Sequence, residues 1–312
     1  MAKHPTLLQH FRSFAYQNNI KSFDKALEYF SVFGGTGWDV DSSKSVATLI
    51  EEKILANYEP LHESMTRYTH NNGLYHMILT IIALGVNHEN DVLKKAKVGK
   101  DKGEEAIDYL VSKSLIKFDL SVEKPLNDGG GKSDRILFDL PFMRFWFAMV
   151  SPNYQSIVAG NVDGNYDEFA QKWHKTRDNF PILLNNLLLL ELVKETFNAK
   201  YKNDPIVKIG SYYDKKVEIN ILAIRESGTM IAAACKYSKE PAKSNMMQTL
   251  IEKCNKAELE VGDYVLFSKN GFTPEVEALK EKEVILLSDT DLSSLLDSLS
   301  EDDLLVYKNK KY

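Results

Sequence analysis

Cysteine is scarce in this sequence: only Cys235 and Cys254 occur in 312 residues. They form no Cys-x-x-Cys pair and no Cys/His cluster, which argues against a structural zinc site and makes a reducing, cytoplasmic compartment the expectation. The seven histidines show no His-Glu-x-x-His spacing, so no metal site is expected from them. Long apolar runs are also missing. The greasiest stretches, residues 142–150 and 187–190, are too short to span a bilayer and read as buried helices. No apolar signal core follows the first five residues. No membrane partner is expected. An excess of positive charge is lacking as well: 39 basic against 44 acidic residues give a net charge of −5. That balance argues against broad, nonspecific nucleic-acid binding and leaves room only for a local basic patch.

What is present is ordinary for a globular protein: 44% hydrophobic and 27% charged residues, in a length that suits two or three domains. The organising stretch is residues 209–237. It reads as two strands around the turn Glu226-Ser227-Gly228. The first, residues 217–224, is rich in β-branched side chains. The second, residues 229–237, is apolar on both faces until Lys236, as a central strand would be. A lysine ending such a strand requires a partner.

This layout resembles the core of the PD-(D/E)XK nucleases, in which an acid ends one strand and Glu-x-Lys ends the next. The carboxylates hold a divalent metal and the lysine positions or activates water. Residues two apart share a face of a strand, so Ala234 pairs with Lys236 and Glu218 with Asn220. The acidic positions of the pattern read Asn220 and Ala234 here, and hard cations prefer charged oxygens. Lys236 remains, with Glu218 as the available substitute. The expectation is a nuclease-like fold kept as a scaffold.

The rest of the chain reads mostly as helices. Residues 5–70 are helical, with Leu7, Leu8, Phe11 and Phe14 at helix spacing. Ser22 caps a second helix, and Gly34-Gly35 ends it. Ser42 or Ser43 caps a third, which carries Val46, Leu49, Ile50 and Ile54. Residues 73–140 follow a winged-helix pattern: helices at 75–84, 90–97 and 101–114, then wing strands at 116–122 and 135–140 around a glycine-rich loop. The loop's Gly129-Gly130-Gly131-Lys132-Ser133 looks like the tail of a phosphate loop. Leu126 stands where that motif needs glycine, and a strand follows instead of a helix, so it reads as a wing tip. Lys94, Lys95, Lys97, Lys100 and Lys102, together with Lys132, are the candidate contacts to DNA phosphates. Glu104, Glu105 and Asp108 on the candidate recognition helix oppose them. Residues 141–150 are aromatic on nearly all sides and should be buried between domains. Arg144 among them needs an acidic or carbonyl partner. Further helices are expected at 166–173, 179–199, 245–254, 274–280 and 289–296, and strands at 264–268 and 284–287. Strands alternating with helices after residue 200 indicate an α/β sheet. The tail around residues 308–311 reads as disordered.

In this order the pieces resemble the C-terminal part of archaeal-type ATPases that carry an extra, uncharacterised C-terminal domain. The residues that carry the resemblance are Tyr29-Phe30-Ser31-Val32-Phe33-Gly34-Gly35, similar to the ATPase lid; Tyr75-His76-Met77-Ile78-Leu79 with Ile82-Ala83-Leu84-Gly85; Asp139-Leu140-Pro141-Phe142-Met143-Arg144-Phe145-Trp146-Phe147; Lys216-Val217-Glu218-Ile219-Asn220-Ile221 with Ala234-Cys235-Lys236; and Phe267-Ser268-Lys269-Asn270-Gly271-Phe272. Together they span roughly residues 24–296. The ATP-binding core of the family would lie upstream, so ATP hydrolysis is not carried over. The resemblance implies a lid-like helical segment (1–70), a winged helix (71–140), and linking helices with a degenerate PD-(D/E)XK nuclease-like α/β domain (141–312). The resulting expectation is a non-catalytic protein that binds double-stranded DNA or a protein partner such as a separately encoded ATPase, without a cofactor. The alternative is a divergent nuclease using magnesium with Glu191, Glu218 and Lys236, where Glu191 is the glutamate that the first helix of such a core often donates.

Overall fold

A computed structural model describes residues 6–123, 133–282 and 284–297. It shows a mixed α/β protein in which helices dominate the first half and a five-stranded mixed sheet the second. The chain divides into two compact units, one of residues 6–118 and 135–184, the other of residues 119–123, 133–134 and 185–297.

The first unit opens with α1 (Leu7–Gln17), started by a capping box in which Thr6 accepts from the Gln9 N–H and Gln9 returns to Thr6. α2 (Phe23–Phe33) is capped by Ser22 as expected. Phe11, Phe14, Phe23 and Phe30 bury their rings between these two helices, with centroids 5.4 Å apart. α3 (Val46–Ile50) differs from the sequence reading at its start. Its cap is Ser45, which accepts from the Thr48 N–H, while Ser43 is held back by Asp41. The helix then widens into a π turn, Glu51–Leu55, before α4 (Tyr58–Thr69).

Next come α5 (Gly73–Ala83), α6 (Glu89–Ala96) and α7 (Lys100–Ser112), and then β1 (Ile116–Asp119) and β2 (Arg135–Phe138), which pair as a hairpin. The segment before α6 touches this hairpin: His88 bridges Arg135 antiparallel, and the Ile136 N–H donates to the Asn87 carbonyl at 2.7 Å. α8 (Pro141–Phe145) starts on a proline, which pre-sets the first turn, and passes into a second π turn, Trp146–Val150. The aromatic run is buried inside this unit, packed on α2 and α5. The Phe142 N–H donates to the Gly34 carbonyl, tying the run to the glycine turn after α2. α9 (Tyr154–Asp163), which the sequence reading did not anticipate, and α10 (Asp167–Thr176) form a hairpin turned at Gly164 with φ +67°.

The long helix α11 (Asn179–Lys200) leads to the sheet of the second unit: β3 (Ile206–Tyr213), β4 (Glu218–Arg225), β5 (Met230–Lys236), then α12 (Asn245–Lys256), β6 (Val261–Ser268), α13 (Pro274–Glu277), β7 (Ile285–Ser288) and α14 (Asp289–Ser293). The strand order is β3-β4-β5-β6-β7, antiparallel from β3 to β5 and parallel from β5 to β7. The sheet holds one strand more than the sequence pattern indicates: β3, whose Lys208, Gly210 and Ser211 break its apolar alternation. One sheet face packs on α12 through Leu222, Ala232, Leu266, Leu250 and Cys254. At the turn between β4 and β5, buried Arg225 meets Asp263 at 2.7 Å and Asp204 at 3.2 Å and lies 4.4 Å from the Tyr201 ring.

Candidate functional site

The five described lysines of the candidate DNA contact gather around one turn. α6 buries Val92, Leu93 and Ala96, and α7 buries Ala106, Ile107 and Leu110, so the lysines between them are left outside. Lys97 ends α6 in the left-handed conformation at φ +53°. The two helices can approach this closely because residue 103 is glycine: a Cβ there would fall 2.5 Å from Leu93 Cδ2. Lys94, Lys95, Lys97, Lys100 and Lys102 are all exposed. Lys100 and Lys102 occupy the first turn of α7, where the helix dipole disfavours a cation. Lys100 reaches Glu104 at 3.6 Å. Further along the same helix, Glu105 and Asp108 are exposed too, so basic and acidic surface meet on α7. Lys132 lies outside the described residues, as do most of the glycine-rich loop and the tail at 308–311.

In the second unit the candidate carboxylate site is taken apart by one extra residue. Tyr212 pairs with Ile219, but Gly210 pairs with Leu222. Two steps along β3 therefore match three along β4, and a bulge falls at Asn220–Ile221. The alternation of faces resets there: Ile219 and Leu222, three apart, both join the core against α12. Glu218 precedes Ile219 and points to the opposite face. Lys236 shares its face with Ala232 and Ala234, which pack on the α12 side. Glu218 and Lys236 thus lie on opposite sides of the sheet. Pairing of β4 with β5 also stops at Ile221–Ala233, one pair before Asn220 and Ala234.

The amine of Lys236 donates to the Pro241 carbonyl at 2.9 Å. That is the partner an apolar strand ending in lysine requires. Glu191 is half-buried on α11. α11 meets the sheet on the face away from α12: its Asn186 accepts from the Tyr237 hydroxyl at 2.9 Å, and Tyr237 packs on Phe267, which alternates with Leu266 of the α12 core. Glu191 and Glu218 are therefore on the other side of the sheet from Lys236. Among the described residues, no group of three or more His, Cys, Asp or Glu side chains could hold a metal ion. Burial pushes the Cys235 thiol up to about 12, which keeps it protonated at neutral pH.

Arg144, singled out for its need of a partner, has carbonyls. It donates to Phe180 O at 3.1 Å and Asn179 O at 3.4 Å and lies 5.1 Å from the Phe180 ring. It therefore fastens the start of α11. Burial pulls its pKa down to about 10, which leaves it a cation at neutral pH.

Residues 146–250 match a family model described as archaeal and bacterial proteins of unknown function, DUF234. No curated protein and no solved structure matches the chain. The DUF234 segment runs from the second π turn into α12, so it contains Glu191, Glu218 and Lys236 but not the lysine turn of α6 and α7. It fits the uncharacterised C-terminal domain that the resemblance implies. Among the described residues no helix is long and apolar enough to cross a membrane.

Proposed function

We propose that the chain is a non-catalytic binding protein, built on a winged helix and a degenerate restriction-endonuclease-like domain, that contacts duplex DNA phosphates through Lys94, Lys95, Lys97, Lys100 and Lys102. The observation that carries this reading is the exposure of all five lysines around the single turn that starts α7. Three helices, a hairpin and the bridging segment at Asn87–His88 follow the winged-helix order, with α7 in the place of the recognition helix. Exposed Glu105 and Asp108 further along α7 would be repelled by phosphates, so on this reading the contact is confined to the lysine turn.

The succession of α11, three antiparallel strands, α12 and a parallel strand supports the nuclease-like fold for the second unit. Asn220 and Ala234 in place of acids, and the bulge that separates Glu218 from Lys236, support loss of catalysis. A divergent magnesium nuclease would need Glu191, Glu218 and Lys236 on one face.

A second reading is favoured by the acidic half of α7: a protein partner, such as a separately encoded ATPase, docks there instead of DNA. Fluorescence anisotropy with a labelled duplex separates the two. The DNA reading expects binding by the native chain that is lost on reversing Lys94, Lys95 and Lys97 to Glu. Absence of binding even at low salt would reject it in favour of a protein partner.

A further inference from the structure

The solvent face of α9 carries no charge from Tyr154 to Val162. Tyr154, Val158 and Val162 recur every four residues and are 50%, 40% and 82% exposed, so they form one stripe along the helix. Gln155, Ala159 and Asn161 are the other exposed residues between them. No charge falls between Tyr154 and Val162, although 27% of the whole chain is charged. Depletion of charge together with an exposed tyrosine is the composition of an interface core.

The hairpin that carries this stripe is polarised. Gly160 lets the connection to α10 close, since a Cβ there would fall 2.5 Å from the Asn165 carbonyl. α10 therefore folds back beside α9, and Lys172 reaches Asn153 at 2.5 Å, just before α9 begins. Asp163, Asp167 and Glu168 are gathered at the turn end, while Lys172, Lys175 and Arg177 lie toward the open end; all six are exposed. Glu168 and Lys172 are joined at 2.8 Å and Arg177 reaches Asp178 at 3.7 Å; of the other three, Asp163 and Asp167 lie at the turn end and Lys175 at the open end.

We propose that this face is where a second copy of the chain docks, α9 against α9 in antiparallel fashion about a two-fold axis. A two-fold pairing is self-complementary. It lays Val158 near its own mate, sets Tyr154 against the other copy's Val162, and brings the acidic end of one hairpin to the basic end of the other. A parallel pairing would set like charges together at both ends. A lipid-binding helix would carry basic residues beside its apolar stripe, and α9 has none. A ten-residue helix is about 15 Å long, too short by itself to reach the roughly 800 Å² per partner of a standard interface. The dimer is therefore weak and concentration-dependent.

The test is sedimentation of the full chain from about 10 µM to about 1 mM, a range that brackets weak association. The native chain should pass from monomer to dimer. Val158→Asp should weaken dimerisation at least about tenfold, because two like charges then meet across the two-fold axis, while its melting temperature stays near the native value, as expected for an exposed residue. Asp163→Lys should weaken it, and Asp163→Lys combined with Lys175→Glu should recover it. A monomer throughout, a dimer indifferent to Val158→Asp, failure of the double charge exchange to recover association, or association only with added lipid vesicles would each overturn the proposal.

Discussion

Glu218 and Lys236 stand on opposite faces of the β4–β5 ladder. A single extra residue at Asn220–Ile221 does this, by letting Ile219 and Leu222 share one core face and turning Glu218 away from it. A metal-bound water cannot be held between two side chains that a sheet separates, whatever else surrounds them.

On the proposed non-catalytic reading, replacing Lys236 by methionine should cost stability rather than activity. The change removes the hydrogen bond to Pro241 while keeping the aliphatic stem. The expected loss is about 0.5–1.5 kcal/mol, the net worth of one such bond, read as a lower urea midpoint. Magnesium-dependent cleavage of DNA by the native chain, abolished in the variant, would contradict this.

The sequence made part of this plain and hid the rest. Lys236 ending an apolar strand announced its need for a partner. The periodicity of residues 217–237 located the middle of the sheet. Ser22 and Thr229 stand where a helix cap and a strand start were expected or nearly so. The bulge left no mark, because Asn220 and Ile221 suit a regular strand as well as a bulged one; only the pairing with Tyr212 and Gly210 reveals it. β3 was missed because its polar residues are satisfied by the edge segment, where the Val122 N–H donates to the Ser211 carbonyl and the Tyr213 N–H to Ser121 Oγ. Local periodicity cannot show such contacts, which come from residues far away in sequence. The stripe on α9 is legible as Tyr154, Val158 and Val162 four apart, yet Ser151-Pro152-Asn153, a pattern that ends helices, here forms a tight turn that leads straight into the next one.

Arg225→Met should destabilise the second unit by about 3–5 kcal/mol. It leaves Asp263 and Asp204 without the cation that faces them in a largely dry site, which is the costly way to break an ion pair. Removing the arginine together with Asp263, as Arg225→Met with Asp263→Leu, should cost less than the sum of the two single changes. Thermal and urea unfolding of the three variants checks this.

Asp204 gives the fold an acid limit. The Ser227 N–H hydrogen-bonds to its carboxylate, and the Ser227 hydroxyl and the Arg225 charge add to that, so its pKa is lowered in the folded chain despite partial burial. A carboxylate whose folded pKa lies below its unfolded one adds stability that is fully present above the unfolded value and is lost as pH falls through the folded value. Asp204→Asn should therefore be less stable than the native chain at about pH 7, and the difference should shrink as pH falls below about 4, where the unfolded carboxyl takes up its proton. Urea midpoints across that range measure it. A difference that grows toward acid would refute the assignment.

Arg144→Met should loosen the start of α11. It deprives the Asn179 and Phe180 carbonyls of a charged donor and removes the cation from the Phe180 ring. A loss of about 2–3 kcal/mol is expected, in line with hydrogen bonds from a charged group. Arg144→Lys should recover only part of it, since an ammonium cannot span two carbonyls as the planar guanidinium does. Faster amide hydrogen exchange over the first turns of α11 is the accompanying signature.

The lysine turn carries the central claim, and its most direct measurement is the salt dependence of duplex binding, native chain against Lys94→Glu/Lys95→Glu/Lys97→Glu, by anisotropy. Each phosphate neutralised contributes about 0.9 to the slope of log affinity against log salt. The account predicts a steep negative slope for the native chain that becomes shallower by about one for each contacting lysine reversed. A slope near zero, or one unchanged in the variant, would contradict it.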